Sequence, residues 1–212
     1  MKRFGCFLAL LALCAAGALG TACAENAGRI GDFECRTLED GTFEITAYLG
    51  DAESLDIPET LDGRPVTSLA DGAFATSFSL YTVRIPNGII RVEGNPFYDT
   101  GLREIEVADD HPALCIIDGA LFDKNEKALL CFPDGRRVFD YTVPEGTLQI
   151  GEKAFYSCLM LQTVDIPEGV TRIEDDAFNE CELQSVSVPH SVTFIGTGAL
   201  GGVNPMGTLF VE

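Results

Sequence analysis

Within Leu161 to Pro167 (Leu-Gln-Thr-Val-Asp-Ile-Pro) polar and apolar positions alternate from Thr163 to Ile166. A polar turn follows, then isolated apolar residues at Val170 and Ile173, then Ala177-Phe178. Alternation with period two predicts a half-buried strand over Thr163-Val164-Asp165-Ile166. Pro167 has no N–H to give to a ladder and ends that strand, and Glu168-Gly169 turns the chain. Val170 and Ile173 then point back inward, and Ala177-Phe178 reads as a short helical turn plugging the coil. The same order runs from Tyr141-Thr142-Val143-Pro144 to Ala154-Phe155 and from Val186-Ser187-Val188-Pro189 to Ala199-Leu200. An earlier copy runs from Val83-Arg84-Ile85-Pro86 to Pro96-Phe97. In each, the aromatic or its Leu substitute stands eleven residues after the Pro. A first copy, Leu55-Asp56-Ile57-Pro58 to Ala73-Phe74, carries five extra residues before Val66.

Phe74 to Phe97 and Phe155 to Phe178 are both 23 residues apart, and repeats of that length predict a solenoid of leucine-rich type. One such unit has too few apolar side chains to offset the entropy of ordering it, so only coils stacked with shared strand hydrogen bonds are stable. The expected fold is a right-handed, mainly β coil of about 23-residue repeats with short helical turns. Three residues past each plug position sit Ser77, Thr100, Cys158, Cys181 and Val203, small enough for a stacked interior column. Residues 108–137 depart from the unit. Apolar runs at Cys115-Ile116-Ile117 and Ala120-Leu121-Phe122 flank Asp118-Gly119, and Ala128 to Phe132 follows a polar turn, predicting a divergent coil with a β-hairpin. The chain divides into residues 1–24, a lead and capping strand over 25–50, and the array over 51–212.

The units, Val/Leu-x-Ile-Pro then Val-Thr-x-Ile then Ala-Phe-x-x-Cys, resemble the BspA-like bacterial leucine-rich repeat over roughly residues 41–212. The Leu61-Asp62-Gly63 insertion and the interruption from Asp118-Gly119 to Pro133 are similar to variants in that family. The resemblance implies a secreted or surface-exposed protein and, in some members, adhesion to host matrix proteins or other cells. Leu200 in place of the last Phe is a departure from the pattern.

Charge narrows the partners. With 14 Lys+Arg against 33 Asp+Glu, the net charge is −19. The chain lacks the clustered basic residues that nucleic-acid binding requires. The first residues read as an address: Lys2 and Arg3, an apolar run from Phe7 to Leu19, then small residues at Ala22 and Ala24. Cleavage is expected after Ala24, with lipidation at Cys23 as the alternative. Its loss removes two bases and no acid, taking the charge to −21 and leaving no membrane span in the mature chain. Five cysteines remain, Cys35, Cys115, Cys131, Cys158 and Cys181, an odd number whose pairing the sequence leaves open. Cys158 and Cys181, at one position of consecutive units, read as inert interior packing.

Only His111 and His190 exist, which constrains triads and zinc sites. His190 reads as turn decoration, and His111, in Asp109-Asp110-His111-Pro112, as a solvated turn. No phosphate loop, dinucleotide fingerprint, CxxC or HExxH occurs, so no cofactor or metal is implied and no catalytic residue is assigned. The outward strand positions Asp56, Arg84, Glu106, Thr142, Asp165 and Ser187 form one column. Ser54, Thr82, Glu104, Asp140, Thr163 and Ser185 form the next. Together they are expected to line one polar, mostly acidic face. The candidate binding residues are Asp56, Arg84, Glu104, Glu106, Asp140, Asp165 and Ser187. The expected function is a secreted, non-enzymatic module binding an extracellular protein or glycan through that face. The alternatives are a structural spacer, or a glycoside hydrolase using two carboxylates. N-terminal sequencing of the secreted protein should read Glu25 first; a fatty acid on Cys23 would overturn the cleavage.

Overall fold

The structure, a computed structural model, describes residues 26–211, so the leader expected over 1–24 lies outside the described residues. An antiparallel meander of β1 (Asn26–Ile30), β2 (Phe33–Thr37) and β3 (Phe43–Tyr48) leads into the array. The first coil holds β4 (Ser54–Asp56), β5 (Thr60–Leu61) and β6 (Arg64–Leu69). The extra residues noted in this copy make a tight β5–β6 hairpin, with Asp62 and Gly63 both at positive φ (48° and 74°), the turn that Asp-Gly favours. Then follow β7 (Thr82–Ile85), β8 (Arg91–Val92), β9 (Glu104–Val107), β10 (Leu114–Ile117), β11 (Ala120–Asp123) and β12 (Ala128–Cys131). The array continues with β13 (Asp140–Thr142), β14 (Gln149–Ile150), β15 (Thr163–Asp165), β16 (Arg172–Ile173), β17 (Leu183–Val188), β18 (Phe194–Ile195) and β19 (Val203–Val211).

Each coil contributes one strand to each of two parallel ladders. The ladder of Ile-Pro strands is β4-β7-β9, then β13-β15-β17-β19. The second ladder is β3-β6-β8, then β12-β14-β16-β18. Between the halves, β10, β11 and β12 form an antiparallel meander whose first turn is Asp118-Gly119 (φ 49° and 77°). This is the predicted divergent coil with its hairpin.

A spine of aromatic plugs fills the interior. Phe155 stacks on Phe178 at 4.8 Å between ring centroids and on Phe132 at 5.4 Å. Phe74 stands 5.0 Å from Phe97 and 5.7 Å from Tyr48. These are the spacings of adjacent strands, as stacked coils require. The backbone repeats with them: the N–H groups of Tyr48, Phe74, Phe132, Phe155 and Phe178 donate to the carbonyls of Ala73, Pro96, Ala154, Ala177 and Ala199 at 2.7–2.9 Å. Tyr48 and Phe132 are therefore plugs as well, which the Pro-anchored alignment does not reveal. Val164, Ile166, Val170 and Ile173 are buried with them.

The plugs do not sit in helical turns as expected; the described residues contain no helix. Residues two before and two after the plug take positive φ: Gly72 and Thr76 around Phe74, Lys153 and Ser157 around Phe155, Asp176 and Glu180 around Phe178. A left-handed residue breaks the run of φ/ψ a helix needs, so the chain makes successive tight turns such as Ala154 N–H to Gly151 O and Cys158 N–H to Phe155 O. Cys158 and Cys181 are buried, and their thiols donate to the carbonyls of Phe132 and Phe155 in the preceding coil (3.6 and 2.8 Å). All five described cysteines are free thiols, and burial is the first cause pushing Cys35 up to about 11.

His111 is also corrected. Far from a solvated turn, it is 1% exposed. Its Nδ1 accepts from the amides of Ala113 and Leu114 (3.2 and 2.9 Å), and its Nε2 then carries the proton toward Pro86 O at 3.2 Å. The neutral ring thus ties the 108–113 loop to the turn after β7. Lys124 adds a bond from Nζ to the His111 carbonyl. Burial is the main cause lowering the His111 pKa; Lys124 lowers it further, while the bond to Pro86 and the Asp110 charge work the other way.

Two predictions follow from the packing. Phe155→Ala, which empties the middle of a three-ring stack, should cost about 3–5 kcal/mol in urea unfolding, against under 0.5 kcal/mol for an exposed substitution such as Glu145→Gln. For His111 the folded pKa lies below the unfolded value, so the unfolded chain binds more protons as acid is added. Stability should hold above pH of about 6.5 and fall as pH drops below it; His111→Gln should flatten that slope on the acid side of about pH 6.5.

Candidate functional site

The outward residues of the Ile-Pro strands are where the strand period puts them, but in two panels. In the first, Ser54, Thr82 and Glu104 are direct neighbours, as are Asp56, Arg84 and Glu106. In the second, Asp140, Thr163 and Ser185 align, and so do Thr142, Asp165 and Ser187. All are exposed or half-buried, while Val83, Ile105, Tyr141, Val164 and Val186 between them are buried. The hydrogen-bonded ladder beneath these columns is interrupted once, because β9 and β13 are not paired.

The first panel is a charge ladder. Arg84 donates to Glu106 at 2.6 and 2.9 Å and stands 3.7 Å from Asp56. The bond to Glu106, then the charges of Glu106 and Asp56, hold the Arg84 pKa above its usual value. The carboxylates of Asp56 and Glu106 thus share one cation across three coils. The second panel has no base among its in-register outward positions. There the Thr163 hydroxyl donates to Asp140 at 2.6 Å, and Asp165 stands between Thr142 and Ser187.

The break between the panels has a local cause. Leu129 and Ile150 are register partners, yet three residues separate Leu129 from its plug Phe132 and five separate Ile150 from Phe155. The coil of Phe132 is two residues short on its plug side. Residues absent from the sequence reading fill the gap. Asp134 accepts from the amides of Thr100 and Gly101, both at 2.9 Å, and Gly135 N–H donates to Leu102 O at 2.8 Å. Burial raises the Asp134 pKa despite those amide bonds. A Cβ at Gly135 would lie 2.1 Å from Gly101 O, so the approach demands glycine.

On the other side of the short coil, the buried Asn95 Nδ2 donates to Lys153 O at 2.8 Å, and Lys153 Nζ bonds Asp71 at 2.5 Å and Glu152 at 3.1 Å. Burial alone would lower the Lys153 pKa, but the two carboxylates outweigh it and raise it. The Tyr98 and Tyr156 rings meet edge-on at 5.3 Å beside this bridge. Pairs 82 and 58 residues apart have no period to announce them, so only the sharing of plug offsets by Asn95 and Lys153 was available as a signal.

Among the described residues no group of three His, Cys, Asp or Glu is placed to hold a metal, and no helix is long and apolar enough to cross a membrane. His190 is exposed at its turn.

The BspA type leucine rich repeat region matches residues 36–128 and 130–209 in six copies. No curated protein matches the chain in sequence. Its fold is similar to a leucine-rich repeat protein from Eubacterium ventriosum, at 16% identity over 86% of this chain and 70% of that one, with a TM-score of 0.57. It is similar to a leucine rich cell surface protein from Faecalibacterium prausnitzii (24% identity, 85% of this chain, 53% of that one, TM-score 0.52). It is also similar to the pneumococcal vaccine antigen PcpA (18% identity, 80% and 53%, TM-score 0.58). The chain spans about half the length of the last two, and at these identities the likeness is one of fold. The stacked plugs, the paired ladders and six matched repeats place this chain in the BspA-type leucine-rich repeat family.

Proposed function

We propose that the chain is an extracellular binding module that holds a protein (or glycan) ligand against the Ile-Pro strand face, through Asp56, Arg84, Glu104 and Glu106 on one panel and Asp140, Asp165 and Ser187 on the other. The observation that carries this reading is the register: in each panel three coils present outward side chains in straight columns on a hydrogen-bonded backbone. Such a grid needs no ordering when a ligand arrives, so little interaction energy is lost to entropy. An extracellular location is supported by the leader expected over residues 1–24 and by the description of the Faecalibacterium prausnitzii structure as a cell surface protein. Adhesion, as the family resemblance implies, is the use we assign to that surface.

The module is read as non-enzymatic. Hydrolysis by two carboxylates needs one of them free to act as the proton donor. Asp56 and Glu106 are instead tied to the same guanidinium, and the neighbouring outward groups of that panel are Ser54, Thr82 and Glu104.

The test is capture of extracellular matrix proteins and glycans by the chain from residue 25 onward, at an ionic strength of about 0.15 M so that loosely attracted basic proteins are screened off. Arg84→Glu and Asp165→Lys, both on exposed positions, should each weaken a captured ligand by about tenfold or more. A ligand indifferent to both variants would overturn the assignment of the face.

A further inference from the structure

The interruption that splits the strand face also opens the second ladder, and there it leaves an unused strand edge. In that ladder each coil donates to the one before it. Ile90 N–H bonds Thr67 O and Glu93 N–H bonds Leu69 O. Further along, Thr171 N–H bonds Leu148 O and Glu174 N–H bonds Ile150 O. The next acceptors after Thr67 and Leu69 are Ile90 O and Val92 O, and no backbone or side-chain donor of the described residues reaches either. β8 pairs only with β6. The strand that would follow it, β12, has both edges filled, by β11 and by β14.

Between β8 and the β11–β12 turn lies a cleft of about 610 Å³, within the range of ligand-binding clefts. Its floor includes Val92 and Ala128, and its walls carry Glu93, Asp123, Glu126 and Asp175. Glu152 and Glu174 also line it but are paired with Lys153 and Arg172. Asp123 and Asp175 accept backbone amides, from Asn125 and Glu126 and from Thr197 respectively. Glu93 and Glu126 have no ion-pair partner among the described residues. The one cation in the lining, Arg91, acts on Asp40 and is one base against this wall of acids.

We propose that this cleft binds an extended, basic peptide segment of a partner protein, which adds a strand to β8. Its N–H groups bond Ile90 O and Val92 O as the next coil's would, small apolar side chains sit on Val92 and Ala128, and Lys or Arg side chains meet Glu93 and Glu126. Main-chain bonds supply the affinity and the carboxylates the preference for positive charge. An acidic segment is repelled, and a helix leaves N–H groups free only in its first turn, with no extended row of them to pair along the edge. The site is separate from the Ile-Pro strand face and does not depend on it.

The test uses the chain from residue 25 and three labelled hexapeptides, followed by fluorescence anisotropy at about 0.15 M ionic strength. One alternates Lys and Val, one alternates Glu and Val, and one is the Lys/Val peptide methylated on alternate backbone nitrogens. The Lys/Val peptide should bind, and the Glu/Val peptide should not. Methylation on the edge-facing nitrogens should weaken binding at least tenfold, with charge unchanged. Glu93→Lys with Glu126→Lys, both at exposed positions, should weaken it at least tenfold, whereas Asp165→Lys on the strand face should leave it unchanged. Equal binding of the methylated peptide would show attraction by charge alone and overturn the strand addition. Binding that survives the double variant, or no binding of the Lys/Val peptide at about 1 mM, would overturn the cleft itself.

Discussion

Each coil is fastened to the next by one repeated device. A plug aromatic donates its N–H to the carbonyl just ahead of the next plug, and its ring lies on the next ring. A neutral backbone bond adds about 0.5–1.5 kcal/mol net and an aromatic pair a similar amount beyond its burial. Neither is large, but the pair recurs at nearly every level and makes each coil the template for its neighbour. Its geometry is demanding. Lys153, Ser157, Asp176 and Glu180 accept left-handed backbone conformations, each a strain of order 1–3 kcal/mol, so that the plug amide points along the stack instead of into a helix.

Where the device fails, the architecture changes. Phe97 gives its N–H to the Asn95 side chain instead of to a following coil, and the aromatic spine restarts at Phe132. The two-residue shortening before Phe132 is accommodated by polar joinery: Asp134 on two amides, Asn95 on Lys153 O, Lys153 on Asp71. Buried polar groups of this kind are stable only when fully satisfied, and here the joint consists of bonds that leave few groups unpaired. The two hydrophobic clusters, one around Phe74 and Phe97 and one around Phe132 to Phe178, meet at this seam.

The seam also organises the outside. A regular array would offer one long strand face and two continuous ladders. This chain offers two panels of different charge character, one with Arg84 neutralising its neighbours and one carrying Asp140 and Asp165 without an in-register base. It also offers an open strand edge flanked by acids. The divergent coil is therefore not a flaw in a repeat but the feature that makes the surface of this solenoid unlike that of a uniform one.

The repeat itself, the identity of the inward residues and the outward columns were legible in the chain, because strand alternation and an eleven-residue Pro-to-aromatic offset are local and recur. Val164, Ile166 and Phe178 could be placed inside, and Asp56 beside Arg84, from spacing alone. The hairpin at Asp118-Gly119 was legible for the same reason, since its turn chemistry is local. Tertiary structure alone decided that the plugs turn without a helix, that His111 is a buried brace and that β8 and β9 lose their next neighbours. Those outcomes depend on which coil lies beside which. A side-chain amide or an imidazole carries no mark in the sequence of the carbonyl, 58 or 25 residues away, that will receive it.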